Sequence, residues 1–261
     1  MEKYDRKAAA FIERAYQAPE IINQRMRTLA SLGLVAGERV LDAGCGTGLL
    51  LEQQAGAVGA SGYAAGVDYS EDMLAVARER CAELSQVDLR QGSVERLDFD
   101  DAGFDAVSCT QTLLYVNDID AALGELRRVL KPGGRLAVLE TDWRGAVFNH
   151  PDLDVTRRLF DALDDSRPNP YLVRQLRPRL KALGFASVRV EAIPLLNAGY
   201  SDNSFSSGMI ENMVSTARRK AYVDDAEAGA WRKAYQQLKA ADEYFFCVNR
   251  FLFTAVKQGQ S

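Results

Sequence analysis

One histidine, His150, is all the imidazole in this chain of 261 residues, and its four cysteines, Cys45, Cys81, Cys109 and Cys247, include no C-x-x-C pair. Scattered thiols and a lone imidazole supply neither the clustered ligands of a zinc site nor a disulfide framework, so no metal is expected and the cysteines read as reduced and mostly buried. No stretch approaches the ~18 to 20 apolar residues of a membrane span, and the N-terminal residues Met1 to Lys7 lead into no apolar signal core. The cytoplasm is the expected location. Positive charge is not in excess either: 32 Lys and Arg stand against 36 Asp and Glu, a formal net charge of −4. That balance gives no long electrostatic track for nucleic acid. Internal repeats and low-complexity runs are absent too, and nothing in the sequence sets the oligomeric state.

What the chain does have is a length that buries one sizeable core and falls short of two full α/β domains. Its organising stretch is Val40-Leu41-Asp42-Ala43-Gly44-Cys45-Gly46-Thr47-Gly48, an apolar run that meets three alternating glycines and then the helix-like Leu49-Leu50-Leu51-Glu52. The pattern reads as strand, tight turn and helix start. Glycines there permit positive φ and let a ligand approach the main chain closely. The dinucleotide fingerprint G-x-G-x-x-G needs its third glycine where this chain has Leu49, so NAD fits poorly. Asp42, at the carboxyl end of the strand, suits an ammonium group and would repel a pyrophosphate. An amino-acid-like ligand is favoured.

Residues from about Lys3 to Leu34 carry helical spacing (Phe11, Ile12, Tyr16, then Ile21, Ile22, Met26, Leu29, Leu32) with a break at Pro19, which predicts two helices ahead of the first strand. Strands are then expected at Val40-Leu41, 63–68, 87–91, 104–110 and 135–141, alternating with helices to about Ala55, over 70–84 and over 118–130. Such alternation means parallel strands joined by right-handed crossovers. Ser70, followed by Glu71 and Asp72, is an N-cap with acids in the first turn, and Lys131-Pro132-Gly133-Gly134 ends the helix before it. Beyond Thr141 the pattern predicts helices over 152–163 and 171–183, a strand over 187–195, a polar and helical segment over 201–241 and a final strand over 244–256.

The run Leu41 to Gly48 resembles motif I of the class I S-adenosylmethionine-dependent methyltransferases. The resemblance continues through Gly66-Val67-Asp68-Tyr69-Ser70-Glu71-Asp72-Met73-Leu74, Phe104-Asp105-Ala106-Val107 and Leu130-Lys131-Pro132-Gly133-Gly134-Arg135-Leu136. It covers roughly Arg39 to Thr141 and is most similar to the ubiquinone/menaquinone C-methyltransferase-like (type 11) branch. It implies a Rossmann-like doubly wound α/β sheet of seven strands, order 3-2-1-4-5-7-6 with the last antiparallel, carrying N-terminal helices and a helical lid insertion. The expected organisation is one methyltransferase domain over 1–261: an N-terminal helical cap over 1–34, a cofactor-binding core over 35–141 and a substrate-side half over 142–261, with the lid at about 201–241.

Open α/β sheets bind ligands beyond the carboxyl ends of their strands. The expected cofactor, S-adenosyl-L-methionine, leaving as S-adenosyl-L-homocysteine, would accordingly meet Asp42, Gly44, Cys45, Gly46 and Gly48 at the glycine turn. Asp68 would take its ribose hydroxyls, and Tyr69 and Met73 would flank the adenine. Ser93 and Val94 follow the third strand, where Gly92-Ser93-Val94 departs from the family's more usual Gly-Asp-Ala and leaves a hydroxyl and backbone groups for the adenine amino group. Thr110 and Gln111 end the fourth strand, beside the place for the methyl. In the resembled family the N-terminal helices fold over the methionine end, where Tyr16 and Arg25 are placed to close on its carboxylate.

Methyl transfer from a sulfonium needs little beyond holding the nucleophile about 3 Å from the methyl, so the motif says more about the donor than about the acceptor. An Asn/Asp-Pro-Pro-Tyr run after the fourth strand would mark amide or adenine acceptors, and this chain has Thr110-Gln111-Thr112-Leu113 there. The expected partner is a small, partly apolar acceptor under the 201–241 segment, walled by Tyr115 and Trp143 and roofed by Tyr200, Phe205, Met209 and Met213. Whether O, N or C is methylated stays open. His150, in Asn149-His150-Pro151-Asp152, and Tyr115 are the candidate catalytic groups, an imidazole near neutrality being suited to taking a proton. His150 as a plain residue before Pro151 at a helix start is the competing reading. A non-catalytic S-adenosylmethionine-binding protein and an aminopropyltransferase remain as alternatives on the same scaffold, although Thr110-Gln111 supplies no acid for a polyamine.

Overall fold

The computed structural model describes Glu13 and residues 15–259. Phe11 and Ile12, and with them most of the first expected helix, lie outside the described residues. Helix α1 (Pro19–Leu32) starts at the proline that the sequence marks as a break, since proline suits the first helical turn, and it ends at Gly33 in the left-handed conformation. The alternating half follows as β1 (Arg39–Ala43), α2 (Leu49–Val58), β2 (Tyr63–Asp68), α3 (Glu71–Arg80), β3 (Val87–Gln91), β4 (Phe104–Thr110), α4 (Ile119–Val129) and β5 (Leu130–Thr141). The caps are those the sequence carries: the Ser70 hydroxyl accepts from the Met73 amide, and the Asp118 carboxylate accepts from the Ala121 amide. Strand β5 begins directly at the end of α4, five residues earlier than expected, with Leu130 pairing Phe104 ahead of a register shift.

The second half comprises β6 (Val147–Phe148), α5 (Leu153–Asp164), α6 (Leu172–Ala182), β7 (Phe185–Ala198), α7 (Phe205–Arg219), α8 (Asp225–Ala240) and β8 (Phe245–Lys257). The sheet order is β3-β2-β1-β4-β5-β8-β6, with β7 also paired to β8. Strands β1 to β5 run parallel, and β8 is antiparallel to β5 and to β7. With β7 and β8 as the sixth and seventh strands, this is the expected 3-2-1-4-5-7-6 order. The two-residue β6 is an addition, paired to Phe246 and Cys247 beyond the end of β5.

Period-two alternation distributes the strand side chains over two cores. Leu41, Val107, Leu136 and Val138 pack on one face with Leu123 and Leu126 of α4 and Leu176 and Leu180 of α6. Val40, Ala106, Ala137 and Leu139 pack on the other with Leu51, Ala55 and Val58 of α2 and Leu32 of α1. A sheet covered on both faces leaves its strand ends as the place for a ligand. Helix α7 is tied into the first core through Ile210, Met213, Val214 and Ala217. A capping box in which Asp224 and Glu227 exchange side-chain-to-amide hydrogen bonds opens α8.

Candidate active site

A cavity of about 510 Å³ opens at the carboxyl ends of β1, β2 and β4, where strand order reverses. That volume lies within the roughly 300–1,000 Å³ of small-molecule sites. Its floor is the glycine turn. Gly44 has φ +81, and its amide donates to the Val67 carbonyl at 2.7 Å. A Cβ on Gly44 would fall 2.1 Å from the Thr112 hydroxyl, whereas one on Gly46, also at positive φ, would meet nothing within 4 Å. Close packing behind the turn thus forbids a side chain at Gly44, and open space remains in front of the turn at Gly46.

Asp42 is 1% exposed and lines the cavity. Its carboxylate accepts from the Ser108 hydroxyl at 2.6 Å, and that oxygen accepts from the Gln54 amide at 2.8 Å. Burial pushes the Asp42 carboxyl up to about 7, against the pull of the Ser108 hydrogen bond and aided by the neighbouring charge of Asp68. Asp68 accepts from the Gly46 amide at 2.8 Å and the Ser70 amide at 2.9 Å. Burial raises its pKa too, with these amides opposing. Each carboxylate oxygen has a second lone pair, so Asp68 retains acceptor capacity toward a ligand.

Most of the residues singled out in the sequence come together here: Asp42, Gly44, Cys45, Gly46, Asp68, Tyr69, Met73, Ser93, Val94, Thr110 and Gln111 all line the cavity. So do Tyr16 and Arg25, and on the other side Tyr115, Trp143, Phe205 and Met209. The Arg25 guanidinium donates to the Tyr16 carbonyl at 3.2 Å, and its buried Nε has no partner among the described residues. Gln111 adopts φ +54, a strained conformation for a residue with a side chain, and its amide is held by the Leu139 carbonyl and the Thr141 hydroxyl. Trp143 and Phe205 stack with ring centroids 6.3 Å apart.

Four expectations do not hold geometrically. Gly48 does not line the cavity; it is the left-handed N-cap of α2, facing Ala77. Tyr200 also lies off the cavity, its ring under the Lys239 ammonium and its hydroxyl donating to Asp202 at 2.6 Å. Met213 faces the core. At roughly 100° per residue, Met209, Asn212 and Thr216 fall within about 40° of Phe205 around α7, while Met213 is about 80° away. The cavity stripe is therefore Phe205, Met209, Asn212 and Thr216. His150, 3% exposed, is not a base at this site. It stacks on Trp231 at 4.4 Å, its Nδ1 accepts from the Asp152 amide at 3.0 Å, and its Nε2 lies 3.1 Å from the Trp231 carbonyl. Both ring nitrogens are committed, and the tautomer those contacts require carries its proton on Nε2.

Sequence reasoning missed Arg167 and Arg250, both lining the cavity at 8% and 1% exposure. Arg167 sits in a segment legible only as a turn. Arg250 left a signal: it occupies the inward period-two position of β8 between Val248 and Leu252, where an apolar residue belongs. Gln24, whose side-chain oxygen accepts from Arg250, and Thr28 were missed as well. Glu140 stands behind the cavity, fully buried, its carboxylate accepting from the Thr112 and Leu113 amides at 3.1 and 2.7 Å. Burial pushes it up to about 8, with those amides and Arg250 opposing. Among the described residues no group of three or more His, Cys, Asp or Glu is placed to hold a metal ion.

This sheet, with its antiparallel last strand and its ligand cavity at the switch point, is the Rossmann-like fold of the class I methyltransferases. It is shared with the YcgJ protein of Bacillus subtilis (TM-score 0.64, 21% identity, 91% of this chain and 99% of that one). It is shared also with phosphoethanolamine N-methyltransferase 2 of Haemonchus contortus, solved with S-adenosyl-L-methionine (TM-score 0.65, 21% identity, 98% of this chain and 58% of that one). Residues 41–138 match the family model described as "Methyltransferase domain", type 11. A demethylmenaquinone methyltransferase of Staphylococcus aureus is 38% identical over 136 residues, 52% of this chain and 54% of that protein. The match to the type 11 methyltransferase model lies in the half of the chain that carries the glycine turn and the parallel strands. The chain spans about half the length of the curated relatives it matches.

Proposed function

We propose that the protein is an S-adenosylmethionine-dependent methyltransferase acting on a small, partly apolar acceptor. The observation that carries this reading is one cavity with two halves: a glycine turn with Asp42 and Asp68 on one side, and Tyr115, Trp143, Phe205 and Met209 on the other. The donor's charge pattern fits the first half. Asp42 would hold the ammonium, Arg25 and the Tyr16 segment the carboxylate, Asp68 the ribose hydroxyls, Tyr69 and Met73 the adenine faces, and Ser93 and Val94 its edge.

When bound, the donor supplies an activated methyl: the acceptor's lone pair bonds to the methyl carbon while the carbon–sulfur bonding pair returns to sulfur, leaving a neutral thioether. The protein's contribution is position and dryness. Thr110, which ends β4, and Gln111 line the same cavity, with Gln111 fixed by Leu139 and Thr141. The stacked Trp143 and Phe205 with Met209 exclude water from the acceptor half. An O–H or N–H acceptor also gives up its proton, and with His150 committed elsewhere, Tyr115 is the remaining candidate to relay it, its hydroxyl accepting that proton while passing its own to solvent.

On this reading the whole chain works as one catalytic unit, with 1–34 as cap, 35–141 as cofactor-binding core and 142–261 as substrate-side half. Four free cysteines support a cytoplasmic setting, and among the described residues no helix is long and apolar enough to cross a membrane. Calorimetric titration with S-adenosylhomocysteine, S-adenosylmethionine and NAD tests the donor. Micromolar binding of the first two and none of NAD is expected, and tighter binding of NAD overturns the reading. Labelled methyl appearing in the small-molecule fraction of an extract, and not in protein or nucleic acid, tests the acceptor class.

A further inference from the structure

Among the described residues, two buried cations lining the cavity, Arg167 and Arg250, have no acid within ion-pair distance. The Arg167 guanidinium lies 5.0 Å from the Trp143 ring centroid and 6.0 Å from that of Tyr115, with one hydrogen bond from Nη1 to the Leu163 carbonyl at 2.9 Å. The Arg250 guanidinium lies 4.9 Å from the Phe205 ring centroid and 5.8 Å from that of Tyr16, with Nη1 donating to Gln24 and the Tyr16 hydroxyl as a further side-chain partner. In both, Nε is buried and has no hydrogen-bond partner among the described residues. A guanidinium offers five N–H donors and keeps its charge when buried, so much of each fork is unspent.

The nearby acids are engaged elsewhere. Asp164, on the Arg167 side, pairs with Arg144. Glu140, on the Arg250 side, accepts from the Thr112 and Leu113 amides; it feels the Arg250 charge, which favours its ionised form, but burial holds its pKa up to about 8 and the two are not within ion-pair distance. Among the described residues neither Arg167 nor Arg250 has an acid within 4 Å, whereas Arg80, Arg128, Arg144 and Arg158 each do. Burying charge without a partner is unfavourable, and such groups are ordinarily paired.

The charge count of the loaded cavity sharpens this. On the proposed reading Asp42 meets the donor's ammonium and Arg25 its carboxylate, and Asp68 meets neutral hydroxyls. The sulfonium remains as a further positive charge in the same cavity as Arg167 and Arg250. Two cation–aromatic contacts, Arg167 on Trp143 and Arg250 on Phe205, are joined where Trp143 stacks on Phe205, so this side of the cavity presents positive charge and aromatic surface.

Resting on the methyltransferase reading above, we propose that the acceptor is an anion with a flat apolar body, its carboxylate or phosphate held by Arg167 and Arg250 and its body seated against Trp143 and Phe205. Guanidinium forks match both groups bidentately. The anion also offsets the positive charge that the donor brings, so donor and acceptor bind with positive cooperativity.

The test titrates the protein, saturated with S-adenosylhomocysteine, with benzoate and phenyl phosphate and with their uncharged counterparts benzamide and benzyl alcohol. At least one anion is expected to bind tenfold or more tightly than its uncharged counterpart, and the two anions distinguish a carboxylate site from a phosphate site. Arg167→Gln and Arg250→Gln are each expected to reduce that anion's affinity at least fivefold, leaving S-adenosylhomocysteine affinity within threefold. Arg167→Lys and Arg250→Lys, which keep the charge, should recover part of the loss, as a purely structural role would not require. Equal binding of charged and uncharged probes, binding of neither, or an anion preference that survives both Gln variants overturns the proposal. Should the Gln variants fail to fold, the selectivity of the wild-type protein decides alone. Failure of the wild-type protein to bind S-adenosylhomocysteine overturns the methyltransferase reading instead.

Discussion

Replacing Asp42 with asparagine should move stability and ligand binding in opposite directions. Asp42 is 1% exposed, and its carboxyl is pushed from 3.8 up to about 7, chiefly by burial. Below pH about 4 it is protonated in folded and unfolded chains alike and contributes nothing to the pH dependence. Between about 4 and 7 the folded protein keeps a proton that the unfolded chain has lost, so stability falls as pH rises, and above 7 the penalty is complete. A displacement of about 3 units at ~1.4 kcal/mol per unit gives an upper bound of about 4 kcal/mol. Asparagine keeps an acceptor for the Ser108 hydroxyl and carries no charge. The ligand-free Asp42→Asn protein should thus be more stable at pH 8 by about 2–4 kcal/mol, a melting temperature higher by roughly 5–10 °C for a chain of this size. Binding of S-adenosylhomocysteine should weaken by about 1.5–3 kcal/mol with loss of the charge-assisted bond to the ligand's ammonium. Thermal unfolding from pH 5 to 9 with calorimetric titration reads both quantities. A variant less stable than wild type at pH 8, or one binding S-adenosylhomocysteine undiminished, refutes the assignment.

Asp68→Ala should leave the protein folded and weaken S-adenosylhomocysteine binding by about 1.5–3 kcal/mol, read by calorimetry; unchanged affinity would assign the ribose to another acid. Gly44→Ala places a Cβ 2.1 Å from the Thr112 hydroxyl at φ +81, and should cost at least about 2 kcal/mol in denaturant unfolding. Thr112→Gly added to it should recover the steric part and leave the cost of the left-handed conformation. His150→Ala should lose about 2–4 kcal/mol of stability through the stack on Trp231, yet the folded fraction should turn over acceptor at the wild-type rate; abolished turnover in a folded variant would return His150 to the site.

The glycine-turn side of the cavity was legible because its determinants are local in sequence. Strand, glycine turn, helix and the acid that ends the next strand follow one another within Val40 to Ser70, and each reports on backbone geometry through residue types that few other geometries select: glycine at positive φ, serine at an N-cap, aspartate at a strand end. The parallel pairing of β1 to β5 was legible in the alternation of strand and helix, whereas the strand order was what the family resemblance implied. Boundaries slipped where the determinant was long-range. Strand β5 extends back to Leu130 because Phe104 pairs with it, and β6 exists because β8 runs on past the end of β5.

The aromatic side of the cavity is assembled from segments far apart in the chain, and there residue type alone misleads. His150 has the chemistry of a base, but the tertiary fold places Trp231, 81 residues away, over its ring. Met213 has the character of a pocket wall, yet the phase of α7 turns it toward Ile210 and Val214 in the core and gives the cavity Asn212 and Thr216. Arg167 and Arg250 look like surface charges to composition, and they become cavity residues only when the turn after α5 and strand β8 bring them against Trp143 and Phe205. The one local trace, an arginine at an inward position of an apolar strand, has general use. Period-two alternation fixes which side chains a strand must bury, and a charge placed there is tolerated only where a partner, or a ligand yet to arrive, removes its cost. In β8 the described residues provide no such acid, so the partner of Arg250 is to be sought in the cavity it faces.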